Sequence, residues 1–297
     1  MKRLIDKIRF IKTFPKTKSG ANENFKAHMS VASSLVCKDG LKPIHGTPFQ
    51  TVLFQPYKGK TEENSLRLTF GGNKGGSYIA VECTPYKLTA DEWMDACGYM
   101  TAIFGGPEVI SKTFQLFEVE LAIDIPQPMT DFIFVSPRLK QQGLNIPKPD
   151  HIKLGSKQGS RWIRIYNKKK HLQEKKGIQV AGQLTRIEFV CRRLPSTLAS
   201  CLSIPNPFND IIVVPRSKIP EIKKKHANDY SFGHFAGMVS QGWFGHTAYW
   251  NIDDADMRKG ILKRLRPYAL NLAGSKADWD SWIASELNLL KSKFLPS

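Results

Sequence analysis

Acidic residues are scarce in this 297-residue chain: 26 Asp and Glu stand against 44 Lys and Arg, a formal net charge of +18. A cationic excess of this size on a folded chain usually serves a polyanion, because each Lys or Arg set against a phosphate releases a condensed counterion. Nucleic acid is the expected partner; a ribosome-associated or membrane-surface role, or plain solubility, carries the same charge. Cysteine is also sparse. There are five (Cys37, Cys83, Cys97, Cys191, Cys201), an odd count with no Cys-x-x-Cys. This argues against a disulfide framework or zinc ribbon and for a reducing cytoplasm. No run of about 18 apolar residues occurs, which excludes a conventional transmembrane helix. The start, MKRLIDKIRFIKTFPKTK, has no apolar core of the length a signal peptide needs. The sequence lacks Gly-x-x-x-x-Gly-Lys-Ser/Thr, His-Glu-x-x-His, Gly-x-Ser-x-Gly and His-x-His. P-loop nucleotide hydrolysis, zinc-protease chemistry and the hydrolase nucleophile elbow are therefore not expected. His234 and His246 flank an aromatic patch, but twelve residues apart and without Cys partners they are a weak zinc signal.

What remains is an ordinary globular balance, 41% hydrophobic and 24% charged, enough for one large domain or two modest ones. Residues 1–47 are basic and poorly patterned, and read as an N-terminal arm. Residues 48–204 read as an α+β domain with an antiparallel sheet. Within it, TPFQTVLFQPY is a strand, and NSLRLTF and SYIAVECTPY are two more, joined by a GGNKGG turn. Thr89 and Glu92 form a capping box for a helix carrying Trp93, Met94, Cys97, Met100 and Phe104 at helical spacing. FQLFEVELAIDI, DFIFVSP, HIKLG, SRWIRIYNKKK and LTRIEFVCRR read as further strands. Residues 205–297 read as mostly helical, a candidate DNA-binding or dimerisation region. Their last two helices are DDADMRKGILKRLRPYAL and KADWDSWIASELNLLKSKF. The basic helix around Arg258, Lys259, Lys263, Arg264 and Arg266 could hold duplex DNA by its phosphates, or simply be a solvated face.

Three of the strands alternate in the same way. Phe117, Val119, Leu121, Ile123 and Ile125 share one face of theirs, with Glu118, Glu120 and Asp124 on the other. Ile163 and Ile165 oppose Arg164, Tyr166 and Lys168; Ile187, Phe189 and Cys191 oppose Arg186 and Glu188. If the strands share a sheet, the acids, bases and Tyr166 fall on one side of it. Carboxylates repel phosphate, so a basic nucleic-acid binder needs a reason to cluster them. A bound Mg²⁺ or Mn²⁺ supplies one. Residues i and i+4 of a straight strand lie about 13 Å apart, so Glu120 is expected to share an ion with a cross-strand Glu188 more readily than with Asp124. The alternative is that these acids pair with the surplus Arg and Lys. Tyr166 has two readings as well. It is a nucleophile whose phenolate the neighbouring cations favour, or it only packs on a half-exposed strand.

These motifs, LGSKQGSRWIRIYNKKK, then LTRIEFVCRR, with VELAIDI preceding both, resemble the rolling-circle replication initiators of plasmids, of the Rep_trans type. The resemblance covers about residues 65–194. It implies a Rep/relaxase-like palm of antiparallel strands with flanking helices. The implied activity is a metal-dependent nicking and religation of single-stranded DNA at a plasmid or phage replication origin, through a covalent phosphotyrosine link. Tyr166 would be the nucleophile. Glu120, Asp124 and Glu188 would bind a divalent metal, Mg²⁺ or Mn²⁺. Arg164, Lys168 and Arg186 would hold the scissile phosphate, with Arg161 and Lys169 among the DNA contacts. A single-stranded or cruciform origin, a host helicase and a second copy of the chain are the implied partners. Two departures stand out: Glu120 occupies a place where Asp is more usual, and His171 one where an acid is expected. A DNA-binding initiator or regulator without chemistry, and a metal nuclease that uses water, are the competing readings.

Overall fold

The computed structural model describes residues 2–17, 22–36, 40–44, 50–55, 65–73, 76–139, 151–156, 159–179, 181–272 and 274–295. In chain order the strands and helices are β1 (Lys2–Pro15), α1 (Glu23–Ser34), β2 (Lys42–Pro43), β3 (Gln50–Phe54), β4 (Arg67–Asn73), β5 (Gly76–Cys83), α2 (Ala90–Phe104), α3 (Pro107–Thr113), β6 (Gln115–Ile125), β7 (Phe132–Val135), β8 (His151–Gly155), β9 (Arg161–Asn167), α4 (Lys168–Lys176), β10 (Thr185–Arg192), β11 (Ile212–Pro215), α5 (Ile219–Lys225), α6 (Tyr230–Ser240), α7 (Gly245–Trp250), α8 (Ala255–Leu265) and α9 (Lys276–Phe294). The fold is mixed α+β. A nine-stranded sheet runs in the order β2-β3-β4-β5-β1-β6-β10-β9-β8, and β11 and β7 form a separate two-stranded sheet. The capping box is present, with Thr89 Oγ1 accepting from the Glu92 backbone and the Glu92 carboxylate accepting from the Thr89 N–H.

The N-terminal segment departs from expectation. Residues 1–47 were read as a basic arm, yet Lys2–Pro15 is a fourteen-residue strand inside the large sheet. It pairs antiparallel with β5, Ile8 opposite Cys83 through Pro15 opposite Gly76. The physical reason lies in its alternation. Ile8, Phe10 and Phe14 are buried on one face, while Lys7, Arg9 and Ile11 occupy the other. Five cations among its fourteen residues make such a strand look like a solvated arm, although long basic side chains bury their stems readily.

The chain forms two compact units, neither a consecutive stretch: Met1–Leu4, Leu121–Val190 and Pro205–Trp279 make the first, and Ile5–Glu120, Cys191–Ile204 and Asp280–Ser297 the second. In the second unit the β1 aromatics seed a chain of ring contacts. Phe10 meets Phe294 of α9 at 5.2 Å, Phe14 meets Phe25 of α1 at 5.9 Å, and Phe25 meets Phe70 of β4 at 6.2 Å. Offset and edge-on ring pairs of this kind add about 0.5–1.5 kcal/mol each beyond area burial.

In the first unit α5–α8 close over the β11–β7 pair. Their shared core holds Ile133, Val135, Val214, Phe232, Phe235 and Leu265, among others. Gly245 opens α7 hard against β7, where a Cβ would lie 2.1 Å from Ile133 Cγ2. His246 is buried, and its Nδ1 accepts from the Ser136 N–H at 3.2 Å. Burial lowers its pKa to about 3, so it stays a neutral acceptor in the core. The region read as mostly helical therefore also contains β11, four residues long and paired with a strand nearly eighty residues earlier.

A central β1 makes a direct prediction. Phe10→Ala should lower unfolding free energy by about 3–5 kcal/mol, the usual cost of emptying a buried phenylalanine site. Chemical denaturation of the two proteins measures this; an arm would show no change.

Candidate active site

Tyr166 lies in β9, whose alternation puts Trp162, Arg164 and Tyr166 on one face. Strand β8 pairs with β9 so that His151 sits opposite Tyr166 and Lys153 opposite Arg164. The Tyr166 hydroxyl donates to Glu188 Oε1 at 2.6 Å. The other carboxylate oxygen of Glu188 takes Arg164 Nη2 at 2.7 Å. Arg186 approaches Oε1 at 3.8 Å and also grips Asp124 with two parallel bonds, Nε to Oδ1 at 2.6 Å and Nη2 to Oδ2 at 2.7 Å. Such a fork gives directional as well as charge recognition. Lys168 donates to the Tyr166 hydroxyl at 3.5 Å and lies over its ring. His151 stacks on the ring at 5.9 Å and His171 tilts against it at 5.2 Å. Tyr166, Arg164, Lys168, Arg186, Asp124 and Glu188 thus form one connected network within the first unit. His151 and His171 are additions that single-strand alternation does not show, since one comes from the neighbouring strand and the other from α4.

The pair at the centre of the network is nearly dry. Tyr166 is 8% exposed and Glu188 3%. Burial pushes the Tyr166 phenol far above its ordinary value. The adjacent Glu188 carboxylate and its hydrogen bond push the same way, and Arg186 and Arg164 only partly oppose them. The expectation that cations hold Tyr166 as phenolate is thereby reversed. The resting group is a neutral phenol that donates to a carboxylate.

The remaining expected contacts divide. Arg161 falls on the opposite face of β9, with Ile163 and Ile165, and its guanidinium pairs with Asp210 at 2.6 Å, beside Arg138 at 2.9 Å. Lys169 lies in the first turn of α4, between Lys168 and Lys170. The cap is Asn167, which accepts from the Lys170 N–H at 3.0 Å. Three lysines at a helix N-terminus oppose the macrodipole, an arrangement that an anion seated there would relieve.

Glu120 belongs to a second cluster, in the second unit. Lys7 Nζ lies 3.4 Å from Glu82, 3.7 Å from Glu118 and 3.4 Å from Glu120. Arg192 also bonds Glu118. Burial alone would lower the Lys7 pKa, but the three carboxylates outweigh it and hold it above the ordinary lysine value. The sequence alone does not single out Lys7, because its strand reads as an arm.

Among the described residues no group of three or more His, Cys, Asp or Glu side chains could hold a metal ion. Asp124 and Glu188 nonetheless offer hard oxygen donors joined through Arg186. Both Asp124 oxygens are bonded by Arg186, and both Glu188 oxygens by Tyr166, Arg164 or Arg186, so a Mg²⁺ or Mn²⁺ there would have to displace a guanidinium and be completed by phosphate and water oxygens.

Two variants probe these charges. Lys7→Met leaves three half-neutralised glutamates and should cost about 3 kcal/mol at pH 7. Urea midpoints of the two proteins measure this cost. Tyr166 has a folded pKa above its unfolded value of about 10. Its contribution is complete below that pH and is lost as pH rises through the folded value. Between pH 9 and 11 the wild-type midpoint should therefore fall more steeply than that of Tyr166→Phe.

No known protein-family model matches the chain, and no curated protein matches it. Two solved structures are remotely similar. One is DynU16, a putative protein in the dynemicin biosynthetic locus, at 6% identity and TM-score 0.18 over 62% of this chain and 86% of that one. Another is the apo immunity protein TplEi of T6SS from Pseudomonas aeruginosa, at 8% identity and TM-score 0.16 over 66% and 84%. Scores this low carry no argument about fold or function. No helix among the described residues is long and apolar enough to cross a membrane.

Proposed function

We propose that the protein is a cytoplasmic replication initiator that nicks and rejoins single-stranded DNA at an origin through a covalent phosphotyrosine. The observation that carries this reading is the 2.6 Å bond from the Tyr166 hydroxyl to Glu188, set among Arg164, Arg186 and Lys168. A nucleophile bonded to a base that a third group orients is the arrangement covalent catalysis requires. The resemblance of the VELAIDI, SRWIRIYNKKK and LTRIEFVCRR segments to Rep_trans initiators supports it, as does the net charge of +18.

The chemistry follows from the residues. Glu188 accepts the phenol proton as the Tyr166 oxygen attacks phosphorus, because a free phenolate is disfavoured in so dry a site. The phosphorus–oxygen bond to the leaving sugar breaks, and that oxygen takes a proton from water to become the free 3′-hydroxyl. The phosphate stays on Tyr166 as a 5′-phosphotyrosine, so the bond energy is kept for rejoining. Arg164 and Lys168 move from their resting partners to the phosphate oxygens, where charge builds up. Lys169 and Lys170 offer further cations at the head of α4. With Glu188 acting as base, Asp124 is the acid that would hold a divalent cation in place of Arg186, and such a cation would polarise a phosphoryl oxygen. An origin in single-stranded or cruciform form, a host helicase and a second copy of the chain complete the proposed setting.

A labelled single-stranded oligonucleotide spanning the replicon's own origin, incubated with Mn²⁺, tests the reading on a denaturing gel. Wild type should give a protein–DNA adduct that EDTA prevents, and Tyr166→Phe should give none. Glu188→Gln should slow adduct formation about 10²–10⁴-fold, the usual worth of a positioned base. Cleavage that persists in Tyr166→Phe without an adduct would indicate a water-using nuclease. Origin binding without any cleavage would indicate an initiator that only binds.

A further inference from the structure

The first unit carries an outward-facing aromatic pair that the network around Tyr166 does not use. Tyr230 and His234 sit one turn apart on α6. Their rings are stacked 9° from parallel, with centroids 6.3 Å apart. Tyr230 is 80% exposed, and His234 is exposed as well. Leaving a tyrosine this open forfeits its burial, and nothing in the fold requires the ring there. The buried face of α6 is made by Phe232, Phe235 and Val239. Gly233 and Gly237 lie beside the aromatic pair, and a Cβ at either would meet no atom within 4 Å. Neither glycine is needed for packing, although each costs the helix about 1 kcal/mol relative to alanine. Their effect is to leave the helix surface low beside the rings.

The surroundings are cationic. Helix α5 ends on Lys223, Lys224 and Lys225, all exposed, and among the described residues no acid pairs with them. A tight turn, with the Asp229 N–H donating to the His226 carbonyl at 2.9 Å, links those lysines to Tyr230. Both acids near these lysines in sequence are already occupied: Glu221 of α5 pairs with Lys218 at 2.9 Å, and Asp229 has two partners of its own. It caps α6 through the Phe232 N–H at 3.0 Å and binds Arg264 Nε of α8 at 2.9 Å. The Arg264 pair fixes the end of α8 against the start of α6, so the platform is rigid.

An open aromatic plane beside unopposed lysines matches one kind of ligand. Unstacked bases lie flat on aromatic rings, and their backbone phosphates take the cations. In duplex DNA the base faces are buried in the stack, so a duplex could use the lysines but not the ring. We propose that Tyr230, backed by His234 and flanked by Lys223, Lys224 and Lys225, is a stacking platform for a base of single-stranded DNA. It lies outside the network that contains Tyr166, and strand capture at Tyr230 needs no chemistry there.

The test is fluorescence anisotropy of labelled dT15, and of a labelled 15-base-pair duplex, against the full chain in EDTA, where no nicking contributes. Tyr230→Ala should weaken dT15 binding about 5–100-fold, the range for losing one base–aromatic stack, and leave duplex binding within twofold. Tyr230→Phe should bind dT15 as wild type does, since it keeps the plane and loses only the hydroxyl. Replacing Lys223, Lys224 and Lys225 together by Gln should lower the slope of log affinity against log salt by about 2. Equal dT15 affinity in wild type and Tyr230→Ala would overturn the proposal. So would an equal loss on single strand and duplex, which would reveal a general cationic surface. Because the readout is equilibrium binding, these outcomes stand whether or not Tyr166 forms an adduct.

Discussion

Glu188 lies in β10 almost wholly out of water, and a carboxylate so placed costs several kcal/mol unless cations and donors close on it. Arg164, Arg186 and the Tyr166 hydroxyl all converge on its two oxygens. The same constraint repeats along the polar strand faces. Asp124 is forked by Arg186, and Glu118 and Glu120 answer to Lys7; away from those faces, Asp210 is held by Arg138 and Arg161. Removing one partner from such a set leaves a charge with nowhere to go. The positions of these side chains are therefore coupled, and the phenol inherits its orientation from the carboxylate it must satisfy.

That coupling bears on how a tyrosine could be useful here. Were Tyr166 exposed, its hydroxyl would rotate freely and its proton would exchange with water. Held between His151 and His171 under Lys168, it presents a single oxygen in a single direction, with an acceptor already in contact. Pre-organisation of this kind moves entropic cost out of the reacting step. The dryness that raises the phenol pKa also strengthens each charge interaction that an incoming phosphate would meet.

Much of this was legible in the residues. The alternation of β6, β9 and β10 correctly separates Arg164, Tyr166, Arg186, Glu188 and Asp124 from the aliphatic positions, because a two-residue period needs no knowledge of neighbours. The Thr89–Glu92 cap and the hairpin ending at Asn73 and Gly76 were equally local. What failed to show was non-local. β1 hides its Ile8, Phe10 and Phe14 stripe among cations, and only its pairing with β5 reveals it as a strand. Lys7 was lost with it. β11 is four residues long, too short for a period, and exists because β7 is there to pair with it. The pKa of Tyr166 could not be read from the adjacent cations, since burial and Glu188 dominate and neither is visible in β9 alone.

The interior position of β1 has a consequence for how the chain comes off the ribosome. This strand is made well before its partners: the strand that pairs with Ile8–Pro15 begins at Gly76, and its other neighbour, β6, begins at Gln115. For the time it takes to synthesise some sixty residues and more, an apolar stripe of Ile8, Phe10 and Phe14 has no native partner. Sheets closed by such distant pairings form slowly, and unpaired strands are where nascent chains stick to one another. Lys7 and Arg9, which alternate with the stripe, are charges of the kind that act as gatekeepers beside an apolar strand. The charge that disguises β1 as an arm in the sequence keeps it dispersed until its partners arrive.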